Sequence, residues 1–286
     1  MAYLSAHGTM KPPLGAQIDP AHPFAAGLLV ALGFQDFNPT ASAGNPALTA
    51  LLPGGSIANQ TVTLSGGALT GMALTSNREG TSLTTTTSSG TIAVGSTGTW
   101  LPTTACTIAI IRRMNTATPG SNRFVHVGTQ LIACYMPYSD GTVYWDYAGT
   151  SAPNRLTKAG LTISTTIPDH WVFTAGSQGS AIWQNGVKVA SQATAISRAA
   201  AGDVLTLNYD AENADVNFFQ ISNVQWSDDL CRWWSAEPYA HLYPRPMTFV
   251  GSSKGKGKLP AAVVAAAAAA AASAAPTGLL TTTGAG

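Results

Sequence analysis

Carboxylates come first, because bond-breaking in a chain without an obvious cofactor motif falls to them. Glycoside hydrolysis needs a general acid and a second carboxylate, roughly 5–5.5 Å apart in a retaining enzyme and farther apart in an inverting one. The glutamates here are Glu79, Glu212 and Glu237, too far apart in sequence to share one strand face. Asp140 and Asp146 flank one segment, but Asp140 falls in an Asp-Gly turn signal. His7, His22, His126, His170 and His241 show neither HxxxH nor HExxH spacing. GxSxG, P-loop and Rossmann fingerprints are missing, and Gly-rich stretches such as Ser65-Gly-Gly read as loops. The expectation is a protein that is not an enzyme.

Two other chemistries have candidates. Asn208, Asp210, Glu212, Asn213 and Asp215 make the one oxygen-rich cluster in the sequence. A hard cation such as calcium wants six to eight oxygen ligands, so Asp210, Glu212 and Asp215 are the metal candidates. The plainer reading is a solvated turn stabilised by Asx side chains, and no cofactor is expected. Sugar recognition needs aromatic faces beside amides and hydroxyls. Tyr135, Tyr138, Tyr144, Trp145, Tyr147 and Trp183 can supply them, with Tyr144, Trp145, Tyr147 and Trp183 as the glycan-binding set. Within Thr142 to Tyr147, Tyr144 and Asp146 point opposite to Trp145 and Tyr147. One pair must face outwards; the alternative is that the aromatics are core residues.

The frame that positions these residues follows from composition. The chain has 286 residues, 45% apolar but only 9% charged, with a net charge of +1. That is far below the roughly 25% charged residues of ordinary soluble domains. That net charge argues against nucleic acid as a partner, because counterion release needs clustered Lys and Arg. β-Branched residues abound while Glu and Lys are scarce, so the class is all-β. Cys106, Cys134 and Cys231 fit neither a disulfide framework nor a zinc site and read as buried thiols. The first residues lack a basic stretch followed by an apolar one, so no secretory leader is expected. The run Ala261 to Ala275 is shorter than the ~20 residues of a membrane span.

Along the chain, residues 1–23 form a Pro- and His-rich extended arm, residues 24–246 a β-sandwich, and residues 247–286 a linker and Ala-rich tail. Leu28, Val30, Leu32 and Phe34 alternate, as a strand does. Strands are also expected at Thr61–Leu64, Ala68–Leu74, Thr91–Val94, Thr103–Arg113, Phe124–Val127, Leu131–Tyr135, Thr142–Tyr147, Val204–Leu207 and Asp215–Trp226. In the stretch Asp169 to Ala190, Trp171, Phe173 and Ala175 share one face. Ala181 and Trp183 then lead into Asn185-Gly186, a hairpin turn whose two positions accept positive φ. Ser227 is an N-cap followed by two acids, and Pro238 stops the helix they begin. Trp233 and Trp234 are expected to pack that helix onto the sandwich.

The meander at Asp169 to Ala190, the opening His22-Pro-Phe-Ala-Ala-Gly-Leu-Leu-Val-Ala-Leu-Gly-Phe34, and the endings Trp226-Ser-Asp-Asp-Leu230 and Ser235-Ala-Glu-Pro-Tyr-Ala-His-Leu-Tyr-Pro244 carry a resemblance. Together they resemble the concanavalin A-like (laminin G-like) jelly-roll proteins of tailed bacteriophages. The likeness spans residues 22–245 loosely and 169–245 more closely. Cys231, Arg232 and Trp233 depart from the family's acidic helix. The resemblance implies a two-sheet antiparallel jelly-roll sandwich with a short closing helix and extended terminal arms. Relatives that cleave β-glucans carry Glu-x-Asp-x-x-Glu, which this chain lacks.

The expected role is a non-enzymatic virion surface protein: a head decoration, fibre or tail accessory subunit made in the host cytoplasm. Its partners would be capsid or tail subunits, held through the N-terminal arm and residues 251–286, with self-association and a glycan as a further ligand. The alternative is a carbohydrate-binding adhesin that attaches to host surface glycans.

Overall fold

Trp171, Phe173 and Ala175 share one side of their strand, the side that looks into the core between the sheets. The computed structural model describes residues 17–34, 50–51, 61–65, 72–86, 91–95, 101–116, 120, 123–128, 132–199, 204–210 and 213–243. In chain order these form β1 (Gln17–Ile18), a 3-10 turn (Pro23–Ala25), β2 (Leu28–Leu32), β3 (Ala50–Leu51), β4 (Thr61–Ser65), β5 (Ala73–Asn77) and β6 (Gly80–Thr85). Then come β7 (Thr91–Gly95), β8 (Cys106–Met114), β9 (Arg123–Val127), β10 (Ile132–Tyr135), β11 (Val143–Tyr147) and β12 (Arg155–Lys158). The last are β13 (Asp169–Gly176), β14 (Gly179–Gln184), β15 (Val187–Gln192), β16 (Leu205–Leu207), β17 (Ala214–Ser222), the helix α1 (Asp228–Ala236) and β18 (Leu242–Tyr243).

Among the described residues the strands make two large antiparallel sheets. One has seven strands in the order β12-β11-β10-β9-β16-β7-β4. The other has nine: β15-β14-β13-β8-β17-β2-β3, with the β5–β6 hairpin attached to β17. The expected all-β sandwich with one short helix is the architecture found. A two-stranded ribbon pairs Gln17 with Tyr243 and Ile18 with Leu242, tying the end of the N-terminal segment to the last strand.

The inner faces interdigitate. Ile108, Ile110, Trp171, Phe173, Ile182, Phe219 and Ile221 of the nine-stranded sheet meet Ile92, Val125, Cys134, Trp145, Tyr147 and Leu205 of the other. Full burial of each such side chain is worth about 1.5–3 kcal/mol, which makes this layer the main source of stability. Polar tips inside it are satisfied. The Trp145 indole N–H donates across the gap to the Thr174 carbonyl at 2.9 Å, and the Tyr147 hydroxyl donates to the Pro102 carbonyl at 3.0 Å.

The nine-stranded sheet also has a buried outer face. Val172, Ala181, Trp183 and Phe218, the alternate residues of its strands, pack against Phe24, Trp226, Cys231, Trp234 and Tyr239. The helix is capped as expected: the Ser227 hydroxyl accepts from the Leu230 amide at 3.3 Å, with Asp228 and Asp229 in the first turn. Cys231 and Trp234, three apart, form its buried stripe. Trp233 packs the helix too, its ring 4.8 Å from Phe24 and 4.9 Å from His22, while 39% of its surface stays exposed and its indole donates to Glu237 at 3.2 Å. Residue 233 lies off the stripe that residues 231 and 234 define.

The alternation from Leu28 forms β2 as expected, and ahead of it His22 caps a 3-10 turn at Pro23–Ala25. The strand expected to end at Leu74 instead runs Ala73–Asn77 within the described residues. Asn185-Gly186 forms the expected tight turn, with φ of 51° and 79°. All three cysteines are free and buried, and burial pushes the Cys231 thiol up to about 12. Most of the N-terminal arm (1–16) and residues 244–286, including the Ala-rich run, lie outside the described residues.

Candidate functional site

Alternation on β10 and β11 sets which aromatics reach solvent. Cys134, Trp145 and Tyr147 point into the core, so Ala133, Tyr135, Tyr144 and Asp146 point away from it. Strand pairing then places Tyr144 opposite Tyr135, and Tyr135 opposite Arg123, in one row across the sheet. A neighbouring row runs Arg155, Asp146, Ala133, His126 and Thr206. A bulge in β9 makes this possible. Phe124 is an extra residue between Arg123 and Val125, and both Phe124 and Val125 turn inwards, which re-aims Arg123 to the outer row.

The result is a cluster of tyrosines braced by two arginine–aspartate pairs. Tyr135, Tyr138 and Tyr144 meet edge to face, with centroids 5.4–6.0 Å apart. The Arg155 guanidinium lies 4.8 Å from the Tyr144 ring centre and 5.8 Å from that of Tyr135. It donates to both oxygens of Asp146 at 2.6 Å. Arg123 sits 4.4 Å from the Tyr209 ring centre and donates to Asp210 at 3.0 and 3.2 Å. His126 stacks on Tyr209 at 3.9 Å. Tyr135, Tyr138, Tyr144, Thr150 and Arg155 enclose a hollow of about 270 Å³.

Electrostatics in this cluster are internally balanced. Burial pushes the Asp146 carboxyl up, against the opposing pull of Arg155. The bond to Asp146 holds Arg155 charged more firmly than usual. At the rim, the Tyr144 hydroxyl donates to Asp140 at 2.5 Å, which lowers the Asp140 carboxyl and raises the tyrosine hydroxyl. Burial lowers His126, and Arg123 lowers it further. The hollow therefore offers tyrosine edges and faces, a hydroxyl and one paired guanidinium, with little net positive charge. Such a lining stacks against the C–H faces of a neutral sugar and hydrogen-bonds its hydroxyls.

The four residues chosen from sequence for glycan stacking separate. Tyr144 lines the hollow. Trp145 and Tyr147 are corrected: both have no exposed surface and serve as cross-sheet core residues. Trp183 is corrected as well, since it is 1% exposed beneath the helix layer, with Lys188 and Arg232 lying against its ring. The metal candidates do not converge as ligands. Asp210 is held by Arg123. Asp215 is held by Arg113, Asn115 and Thr84. Glu212 lies outside the described residues. No group of three or more His, Cys, Asp or Glu side chains gathers among the described residues. Sequence reasoning missed Arg155 and Arg123. Arg155's signal was weak: a polar Arg-Leu-Thr-Lys edge strand with one inward leucine.

No protein-family model and no curated protein matches the chain. Solved structures share its fold. The binding domain of Paraclostridial Mosquitocidal Protein 1 aligns with a TM-score of 0.54 at 14% identity, over 75% of this chain and 53% of that one. The binding domain of botulinum neurotoxin DC in complex with rat synaptotagmin II gives 0.53 at 10% identity, over 73% and 51%. The same domain in complex with SialylT gives 0.51 at 11% identity, over 73% and 51%. The chain thus spans about half the length of these structures, and at such identities the likeness is one of fold.

Proposed function

We propose that this chain is a non-catalytic recognition module that binds a neutral glycan in the hollow of Tyr138, Tyr144 and Arg155. The observation that carries this reading is the hollow itself: a solvent-facing tyrosine cluster on a sheet whose strand residues Phe124, Trp145 and Tyr147 are buried. The matched structures are binding domains, one of them in complex with SialylT, and this supports a ligand-recognition role. The carboxylates near the hollow are already engaged, Asp146 by Arg155 and Asp140 by Tyr144, which supports binding without catalysis. A glycan array followed by calorimetry tests it. Neutral oligosaccharides should bind, and Tyr138→Ala and Tyr144→Ala should each weaken binding about tenfold, the scale of one aromatic contact. Equal binding by both variants, or turnover of any bound glycan, overturns it.

The resemblance to phage jelly-roll proteins supports a second, compatible reading: the module is a surface subunit of a virion, in the head or tail, anchored by its terminal segments. The charge-poor composition suits a body surrounded by protein neighbours. Extended arms gain avidity by touching several partners at once. Deleting residues 251–286 should leave a folded sandwich that no longer enters particles; normal incorporation removes this reading.

A further inference from the structure

A second cleft, on the nine-stranded sheet, has a lining of different chemistry. It measures about 320 Å³ and collects side chains from the β5–β6 turn (Arg78, Glu79), the start of β13 (Asp169, His170), the β14–β15 turn (Asn185) and the end of α1 (Ser235). These segments are anchored. Asn217, fully buried on β17, exchanges two 2.9 Å hydrogen bonds with Asn77 in the β5–β6 hairpin, and Asn77 also accepts from the Glu79 amide at 2.9 Å. Asp169 is fixed by Asn185 at 2.7 Å, Gln184 at 3.2 Å and the Ser164 amide at 3.1 Å.

The hydrogen-bond accounting leaves acceptors over. His170 Nδ1 lies 2.7 Å from the Ser235 carbonyl, which can only accept, so Nδ1 carries the hydrogen. In the neutral ring, Nε2 is then an acceptor. It faces Glu79 Oε1, another acceptor, at 3.7 Å, with both side chains about 14% exposed. At that separation both can accept from one donor that approaches from the cleft side. Among the described residues, Asp169 Oδ2 accepts one hydrogen bond, from the Ser164 amide. The Ser235 hydroxyl donates to the Cys231 carbonyl. With neutral His170 the lining holds two carboxylates against the single guanidinium of Arg78, so its excess charge is negative. Ile167, 46% exposed, gives the rim an apolar edge.

We propose that this cleft binds the protonated amino group of an amino sugar, with the ammonium bridging Glu79 and His170 from the cleft side and the sugar ring against Ile167. An ammonium has three donors and no acceptor, which matches the excess. The volume suits a single sugar ring, and the choice of a sugar as the carrier rests on the glycan reading above.

The test titrates glucosamine, N-acetylglucosamine and glucose separately into the ¹⁵N-labelled full chain near neutral pH, following the amides of Glu79, His170 and Asn185. Glucosamine should shift these amides. The other two sugars, lacking the ammonium, should bind there at least about tenfold more weakly, the factor one charge-assisted bond supplies. Glu79→Gln should weaken glucosamine by a similar factor. Equal responses to all three sugars, silence at these amides, or an unaltered Glu79→Gln overturns the proposal. So does a free chain in which both His170 ring nitrogens carry hydrogen, because Glu79 then already has its donor. If Glu79→Gln does not fold, the three-sugar comparison on the unaltered chain still decides. Silence here with sugar bound in the tyrosine hollow sinks this inference alone; the converse sinks the hollow and keeps the amine site.

Discussion

The two sheets treat their outer faces in opposite ways. On the nine-stranded sheet, Val172, Trp183 and Phe218 look outwards and are covered by Trp226, Trp234, Tyr239 and Phe24. On the seven-stranded sheet, Tyr135 and Tyr144 look outwards and are covered only by one another, by Tyr138 and by two arginines. Alternating aromatics thus become a second core in one place and a solvent-facing cluster in the other. What separates the outcomes is a covering layer made of the 3-10 turn, the helix and the segments on either side of it. A covered face can carry tryptophan with its indole buried. The open face carries tyrosine, whose hydroxyl stays useful beside water.

This contrast can be broken most severely at the covered face. Trp234→Ala should lower unfolding stability by about 3–5 kcal/mol in a denaturant titration, the usual result for a buried tryptophan. A loss below about 1 kcal/mol would mean the helix is not part of the core. Next is the brace of the open face. Arg155→Ala leaves the fully buried Asp146 carboxylate without its partner, and about 3 kcal/mol should be lost. The double variant Arg155→Met with Asp146→Leu should regain most of it, because the loss reflects a stranded charge.

A further effect is graded by pH. Burial, helped by His22, pushes the His241 imidazole down to about 3. Between pH 6.5 and about 3 the unfolded chain binds a proton at this position and the folded chain does not. Stability must therefore fall on acidification through that window, by up to about 1.4 kcal/mol per pH unit. His22, lowered mainly by burial, adds in the same direction. Melting curves of the parent and His241→Phe should diverge in slope; parallel slopes would place the acid sensitivity elsewhere. The smallest stability effect belongs to Tyr144→Ala, which should leave the melting temperature within about 2 °C while glycan affinity drops. A larger thermal loss would make Tyr144 a core residue like its neighbours.

Most strands were legible, because alternation with period two and turn residues such as Asn185-Gly186 are local signals. The helix cap at Ser227 was equally readable. The site was legible only in part. Trp145 and Tyr144 are adjacent and equally aromatic, and sequence establishes that they face opposite ways, not which of them faces water. The wrong member of that pair, together with Tyr147 and Trp183, was drawn into the glycan set for this reason. Arg123 escaped notice because its outward aim depends on the bulge at Phe124, which strand pairing imposes.

Composition and periodicity alone determined the class, the meander, the capped helix and the free thiols, since each follows from propensities acting over a few residues. Tertiary structure decided which aromatic row is core and which is surface, and that Arg123 and Arg155 carry the outer carboxylates. It also brought Glu79 beside His170, 91 positions away in the chain. These outcomes depend on what each sheet is packed against, and contacts between residues so distant leave no local trace in a single sequence.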